Sequence, residues 1–169
     1  MADFPIFQTP MSSIPAFLGL VYLVSVAWPL ARIDIKQHRL PNRLVLPAFP
    51  ITLVGQLASL LMGESIVRLG FAVLVAAAGF GFCLLAHRFA GLGMGDVKLF
   101  TAIALALGWW GVQGVVLAFL VSLALSTIVV LWLLVTRKTK IGSSIALGPY
   151  LLLGLIGSST WVFTGQGLS

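Results

Sequence analysis

The sequence predicts an all-α integral membrane protein of six transmembrane helices, and three observations carry that fold class. Hydrophobic residues make up 60% of the 169 and charged residues only 8%, where a soluble domain carries about 25% charged. The apolar residues gather into six runs, and a bilayer core takes roughly 20 such residues per helix. The Lys and Arg residues sit in or beside the short connections between those runs. There they report orientation in a membrane rather than a face for nucleic acid.

The first span runs from Ile14 to Ile33 and ends at Arg32 and Asp34. The most polar stretch of the chain follows, Asp34 to Asn42. Arg43 to Met62 is the second span, with Pro47 and Pro50 near its start. Neighbouring helices can satisfy the carbonyls that a proline frees, so a distorted first turn is expected there. Gly63-Glu64-Ser65 makes a tight turn into the third span, Ile66 to Ala86, which His87 and Arg88 close. A connection with three glycines, Phe89 to Gly95, leads to Asp96 and the fourth run, Val97 to Trp110. That run is short for a full crossing at about 1.5 Å per residue. Val115 to Thr136 is the fifth span, Arg137 to Lys140 a basic loop, and Ile145 to Phe163 the sixth span.

Six spans can be checked against charge. With the N-terminus outside, nine of the ten Lys/Arg residues, all but Arg68, fall in or beside three loops on one side. By the positive-inside rule that side is cytoplasmic, and an extra or missing helix would scramble the pattern. The topology is N-out, C-out, in a cell membrane. Trp109, Trp110 and Trp161 come near the outer ends of their helices and are expected as interfacial anchors.

No repeat, low-complexity segment or linker divides the chain, so residues 1–169 read as one domain. Met1 to Ser13 carries no basic residue ahead of the first run, and no small-residue cleavage site follows; a cleaved signal peptide is not expected. Cys83 is the only cysteine, which precludes an intramolecular disulfide and a cysteine-based zinc site. Within its apolar run it is expected to pack as a small hydrophobe. The net charge of +6 comes with no basic face carrying interleaved aromatics, so no nucleic-acid partner is expected.

The chemistry is expected from the acids. There are four: Asp3 in the N-terminal tail, Glu64 in a hinge, and Asp34 and Asp96 at the ends of apolar segments on one side of the bilayer. Singly, Asp96 reads as a helix N-cap and Asp34 as a loop residue paired with Arg32 or Lys36. Jointly they read as a site, because ionisable groups at membrane depth are costly and by default functional. Gly93 and Gly95 flank Met94 just before Asp96, and glycine allows a sharp turn and close backbone approach. Two carboxylates brought together share a proton and titrate as a unit. The ionised member then takes a proton from an attacking water while the protonated one polarises a carbonyl. That chemistry needs no nucleophilic side chain, metal or cofactor. Serine catalysis lacks its Gly-x-Ser-x-Gly motif, and a metal would have to use His38, His87 and the aspartates without a His-Glu-x-x-His motif.

Asp34 with Pro41-Asn42, then Gly93-Met94-Gly95-Asp96-Val97-Lys98-Leu99, then Ala146-Leu147-Gly148-Pro149-Tyr150 together resemble the type IV prepilin peptidase family, membrane aspartic peptidases of the Gly-x-Gly-Asp type. The resemblance spans Asp34 to Gly154, with the motifs in the family's order. It implies an endopeptidase that removes the short basic leader of prepilins and pseudopilins at the cytoplasmic membrane boundary, typically just after a glycine. Asp34 and Asp96 would be the catalytic pair. Gly93, Gly95, Pro41, Asn42, Gly148 and Pro149 would bind or position substrate, and Lys98 would either anchor its helix or position Asp96 and the substrate carbonyl. Longer members carry a cytoplasmic segment with two Cys-x-x-Cys pairs and also N-methylate the new terminus. With Cys83 alone, the chain resembles the short form, and methyl transfer is not expected.

Three other readings stand beside this one. A small proton-coupled transporter or relay would use the same aspartates, but buried in mid-helix. A presenilin-like intramembrane protease also uses Gly-x-Gly-Asp, with its first aspartate after a tyrosine deep in a helix, whereas Asp34 follows Ile33. A non-enzymatic assembly subunit of a secretion system would not need the aspartates.

Overall fold

The computed structural model describes residues 11–37, 39–136 and 147–164, and every regular element among them is a helix. A 3-10 segment, Met11–Phe17, leads into α1 (Leu18–Ser25), α2 (Ala27–Gln37), α3 (Asn42–Val45), α4 (Ala48–Leu61), α5 (Ile66–Ala90), α6 (Met94–Gly108), α7 (Val112–Val135) and α8 (Gly148–Thr164). Two breaks follow from proline, which has no N–H to give the carbonyl four residues back. Pro29 leaves the Ser25 carbonyl without its helical donor, and α1 gives way to α2 at Val26. Pro47 and Pro50 split the second span at Leu46-Pro47, the distortion expected there.

Four stretches among the described residues are long and apolar enough to cross a bilayer: Met11–Gln37, Asn42–Leu61, Ile66–Phe89 and Val112–Trp132. The helices at the fourth and sixth expected spans are shorter. α6 has 15 residues and α8 has 17, about 22 and 26 Å at 1.5 Å per residue, against a hydrocarbon core of about 30 Å. His38, the basic loop 137–140, Ile145, Ala146, Asp3 and the Trp161 side chain lie outside the described residues.

α6 is the centre of the bundle. From Val97 to Gly108 its side chains are buried almost without interruption. α5 runs along one flank, and α1, α3, α4, α7 and α8 also touch it, while α7 packs along α8. Close helix approach comes from glycine, as is usual where helices meet in lipid. A methyl group on Gly19 would collide with Thr52, one on Gly55 with the Pro15 carbonyl, and one on Gly154 with the Ala118 carbonyl and Ser122 Oγ. Gln56, fully buried, donates from Nε2 to the Leu105 carbonyl at 2.9 Å and so ties α4 to α6. Cys83 is buried as a free thiol, the packing role expected of it.

The end of the bundle where α4 turns into α5 is held by a polar clasp. Glu64 Oε1 accepts from the hydroxyls of Ser12 and Ser13, and its Oε2 pairs with Arg68 Nη1 at 2.9 Å. At the α6–α7 turn, Trp110 stacks on Phe17 with ring centroids 4.3 Å apart. Trp109 is only 3% exposed. These two indoles therefore pack inward against the bundle instead of facing lipid as anchors. The apolar surface available at that turn outweighs the interfacial preference of the ring.

Candidate active site

The opposite end of the bundle carries Asp34 and Asp96. α2 does not stop at Ile33 but continues to Gln37, so Asp34 lies in the last turn of the helix rather than in a loop. There it faces the bundle and is 4% exposed. Its Oδ2 accepts the backbone N–H of Gly148 at 3.0 Å, the first residue of α8. A helix N-terminus offers unpaired amides and partial positive charge, which suits a carboxylate. Gly148 also leaves the room for it: a Cβ at that position would lie 2.6 Å from Asp34 Oδ2 and 3.1 Å from its Cγ. Pro149 follows inside the first turn, where a missing N–H costs nothing.

Asp96 reaches the same place from α6. Gly91, at a φ of 71° that favours glycine, ends α5 and turns the chain. Gly93 is the N-cap of α6, at a φ of −63° that any residue adopts, and as glycine it has no side chain to cap the helix. Asp96 is thus the third residue of the helix, not its N-cap. Its Oδ1 is closed off from solvent and meets no hydrogen-bond donor among the described residues. Gly95 is needed for a different reason from the turn expected of it. A Cβ there would lie 2.9 Å from the Cβ of Leu40, so the glycine lets the α2–α3 connection lie directly on α6.

Both aspartates line one cavity of about 320 Å³, together with Arg39, Leu40, Asn42, Gly93, Met94, Gly95 and Lys98. Lys98 Nζ donates to Asn42 Oδ1 at 3.1 Å, which joins α6 to the start of α3. Pro41 is the N-cap of α3, and its carbonyl accepts from Leu44 and Val45. The three sequence motifs therefore meet at one end of the bundle. Pro149 and Pro41 shape helix starts beside the cavity and are not among its lining residues. Arg39 and Leu40 line it without having been singled out in the sequence, and Met94 lines it though only its flanking glycines were expected to serve the site; their position inside or beside the motifs was the available signal.

Residues 20–135, which contain both aspartates, match the type IV leader peptidase family. The chain belongs to that family. Over 144 residues this family member is 33% identical to the prepilin leader peptidase/N-methyltransferase of Aeromonas salmonicida strain A449, and equally to that of Aeromonas hydrophila. Each alignment takes in 80% of the chain but 46% and 47% of the two relatives. The chain thus spans about half the length of the curated relatives it matches. No solved structure matches it. Gly148 lies beyond residues 20–135 of the family match, and its contact with Asp34 links the last helix to that part by geometry.

Proposed function

We propose that this chain is a membrane-embedded aspartic endopeptidase that removes the short basic leader from type IV prepilins or pseudopilins. The observation that carries the proposal is the shared cavity of Asp34 and Asp96 in a member of the leader peptidase family. Hydrogen bonding divides the roles. Asp34, which accepts the Gly148 N–H, is the ionised member and takes a proton from water as that water attacks the scissile carbonyl carbon. Asp96, whose Oδ1 meets no donor among the described residues, carries the shared proton and gives it to the carbonyl oxygen. The tetrahedral diol then collapses. One of its hydroxyl protons returns to Asp96, the C–N bond breaks, and Asp34 passes its proton to the leaving amine.

The rest of the site takes supporting roles in this proposal. Gly93 and Gly95 allow substrate and the α2–α3 connection to approach α6. Pro41 and Asn42 fix the start of α3, Lys98 holds Asn42, and Gly148-Pro149 brings α8 onto Asp34. Six passes through the membrane, N-out and C-out, would put this end of the bundle at the cytoplasmic face, supported by the nine basic residues in or beside loops on that side. The names of the Aeromonas relatives join a peptidase to an N-methyltransferase; the proposal takes up the peptidase activity alone. A proton relay through the same aspartates gains nothing from the family match.

The test is leader removal from a co-expressed prepilin by wild type, Asp34→Asn and Asp96→Asn at matched membrane levels. Loss of cleavage in both variants supports the pair, and retained cleavage in either overturns it.

A further inference from the structure

Leu40 stands at the junction of the two aspartate-bearing halves of the site. It belongs to the α2–α3 connection, lines the cavity, and packs partly buried against the core. On one side its Cβ lies 2.9 Å, and its Cδ1 3.4 Å, from where a Cβ on Gly95 would be, next to Asp96. On the other, its Cδ2 lies 3.2 Å from where a Cβ on Gly148 would be, the residue whose N–H holds Asp34. One side chain thus fills the gap between the start of α6 and the start of α8. Each helix meets it through a glycine, so the contact is with backbone, which has little freedom to adjust.

We propose that Leu40 is a positioning residue that sets the separation of Asp34 and Asp96 by acting as a spacer between Gly95 and Gly148. The inference rests on the leader-peptidase reading of the site. An apolar side chain suits the task. It takes no proton and makes no hydrogen bond that would compete for either carboxylate, and it keeps water out of the gap. The Lys98–Asn42 hydrogen bond, one residue beyond Pro41, fixes the far side of the same connection to α6 and keeps the spacer in register. Removing the side chain keeps both carboxylates but lets α6 and α8, and with them Asp96 and Asp34, settle to a new distance. A displacement of about 1 Å at reacting groups can cost on the order of 100-fold in rate. It also changes how strongly the two carboxylates feel each other, and hence the pH at which the pair exchanges its proton.

The experiment compares wild type with Leu40→Ala, Leu40→Val and Leu40→Met, purified in detergent, in cleavage of one prepilin over a range of pH. Asp34→Asn and Asp96→Asn are run alongside. The expected result is a fall in kcat of about 10- to 100-fold for Leu40→Ala, a smaller fall for Leu40→Val, near wild-type kcat for Leu40→Met, and a displaced pH profile in the truncated variants. Wild-type kcat and an unmoved profile in Leu40→Ala would overturn the proposal. So would a loss confined to KM, which makes Leu40 a substrate contact, or a lower kcat with an unmoved profile. If both truncated variants fail to accumulate while Leu40→Met is normal, Leu40 serves folding and the positioning role falls. Cleavage by Asp34→Asn or Asp96→Asn would instead strike at the aspartate mechanism itself, an outcome distinct from all of these.

Discussion

The backbone N–H of Gly148 donates to Oδ2 of Asp34 across 3.0 Å and joins residues 114 apart in sequence. The bond makes the start of the last helix part of the wall around one carboxylate. It also makes a glycine beyond residues 20–135 of the family match as consequential as those beside Asp96.

Gly148→Ala should therefore be severe. Its added methyl would fall 2.6 Å from the bonded oxygen, so Asp34 or the start of α8 must move. Cleavage should drop by about 100-fold, with little change in the amount of protein in the membrane. Leader removal at matched membrane levels, beside a thermal melt in detergent, separates the two effects.

Packing between α7 and α8 should tolerate no side chain at Gly154. A methyl there would meet the Ala118 carbonyl and Ser122 Oγ, and overpacking of this kind costs about 1–3 kcal/mol. Gly154→Ala should lower the midpoint of unfolding in detergent, whereas Gly157→Ala, with open space around that position, should not.

Gln56 discriminates between two substitutions of similar size. Its Nε2 supplies a donor to the buried Leu105 carbonyl, while its Oε1 has no partner among the described residues. Gln56→Leu loses one hydrogen bond but removes the unpaired oxygen, so its cost should be under about 2 kcal/mol. Gln56→Glu sets a carboxylate against a carbonyl in a buried place and should destabilise more. Unfolding midpoints of both variants at neutral pH decide the order.

The clasp at the other end should give way in acid. Burial works to raise the Glu64 carboxyl, but hydrogen bonds from Ser13 and Ser12 and the charge of Arg68 outweigh it and hold the group below its ordinary 4.5. A carboxylate lowered by folding adds stability at pH above its unfolded value and loses it as pH falls through the folded one. Wild type should therefore lose stability below pH 4.5 more steeply than Glu64→Gln. Melting temperature against pH for the two proteins measures the difference.

Much of this was legible in the chain itself. Apolar runs bounded by charge marked the helices and their order, and the scarcity of acids picked out Asp34 and Asp96. Boundaries were less legible. Lys36 and Gln37 break the apolar pattern, yet the helix continues through them because hydrogen bonding along the backbone is indifferent to polarity. That continuation turns Asp34 inward. The orientation of Trp109 and Trp110 was hidden for a related reason: an aromatic near a helix end reads alike whether lipid or another helix receives it. Leu40 carried no signal beyond its place in that connection, since an apolar residue among polar ones shows its use only once Gly95 and Gly148 are beside it.

α6 is both the helix that carries Asp96 and the one most enclosed by its neighbours. It is too short to cross the hydrocarbon core unaided, and it bears Asp96 and Lys98 in its first turns. Released alone during synthesis, such a segment would gain little from partitioning into lipid. Its place in the membrane must come from companions, first α5 through the turn at Gly91 and then the helices that close around it. Assembly of the protein and completion of the site are therefore one event: until the bundle is built, Asp96 has no cavity to occupy and nothing holds it near Asp34.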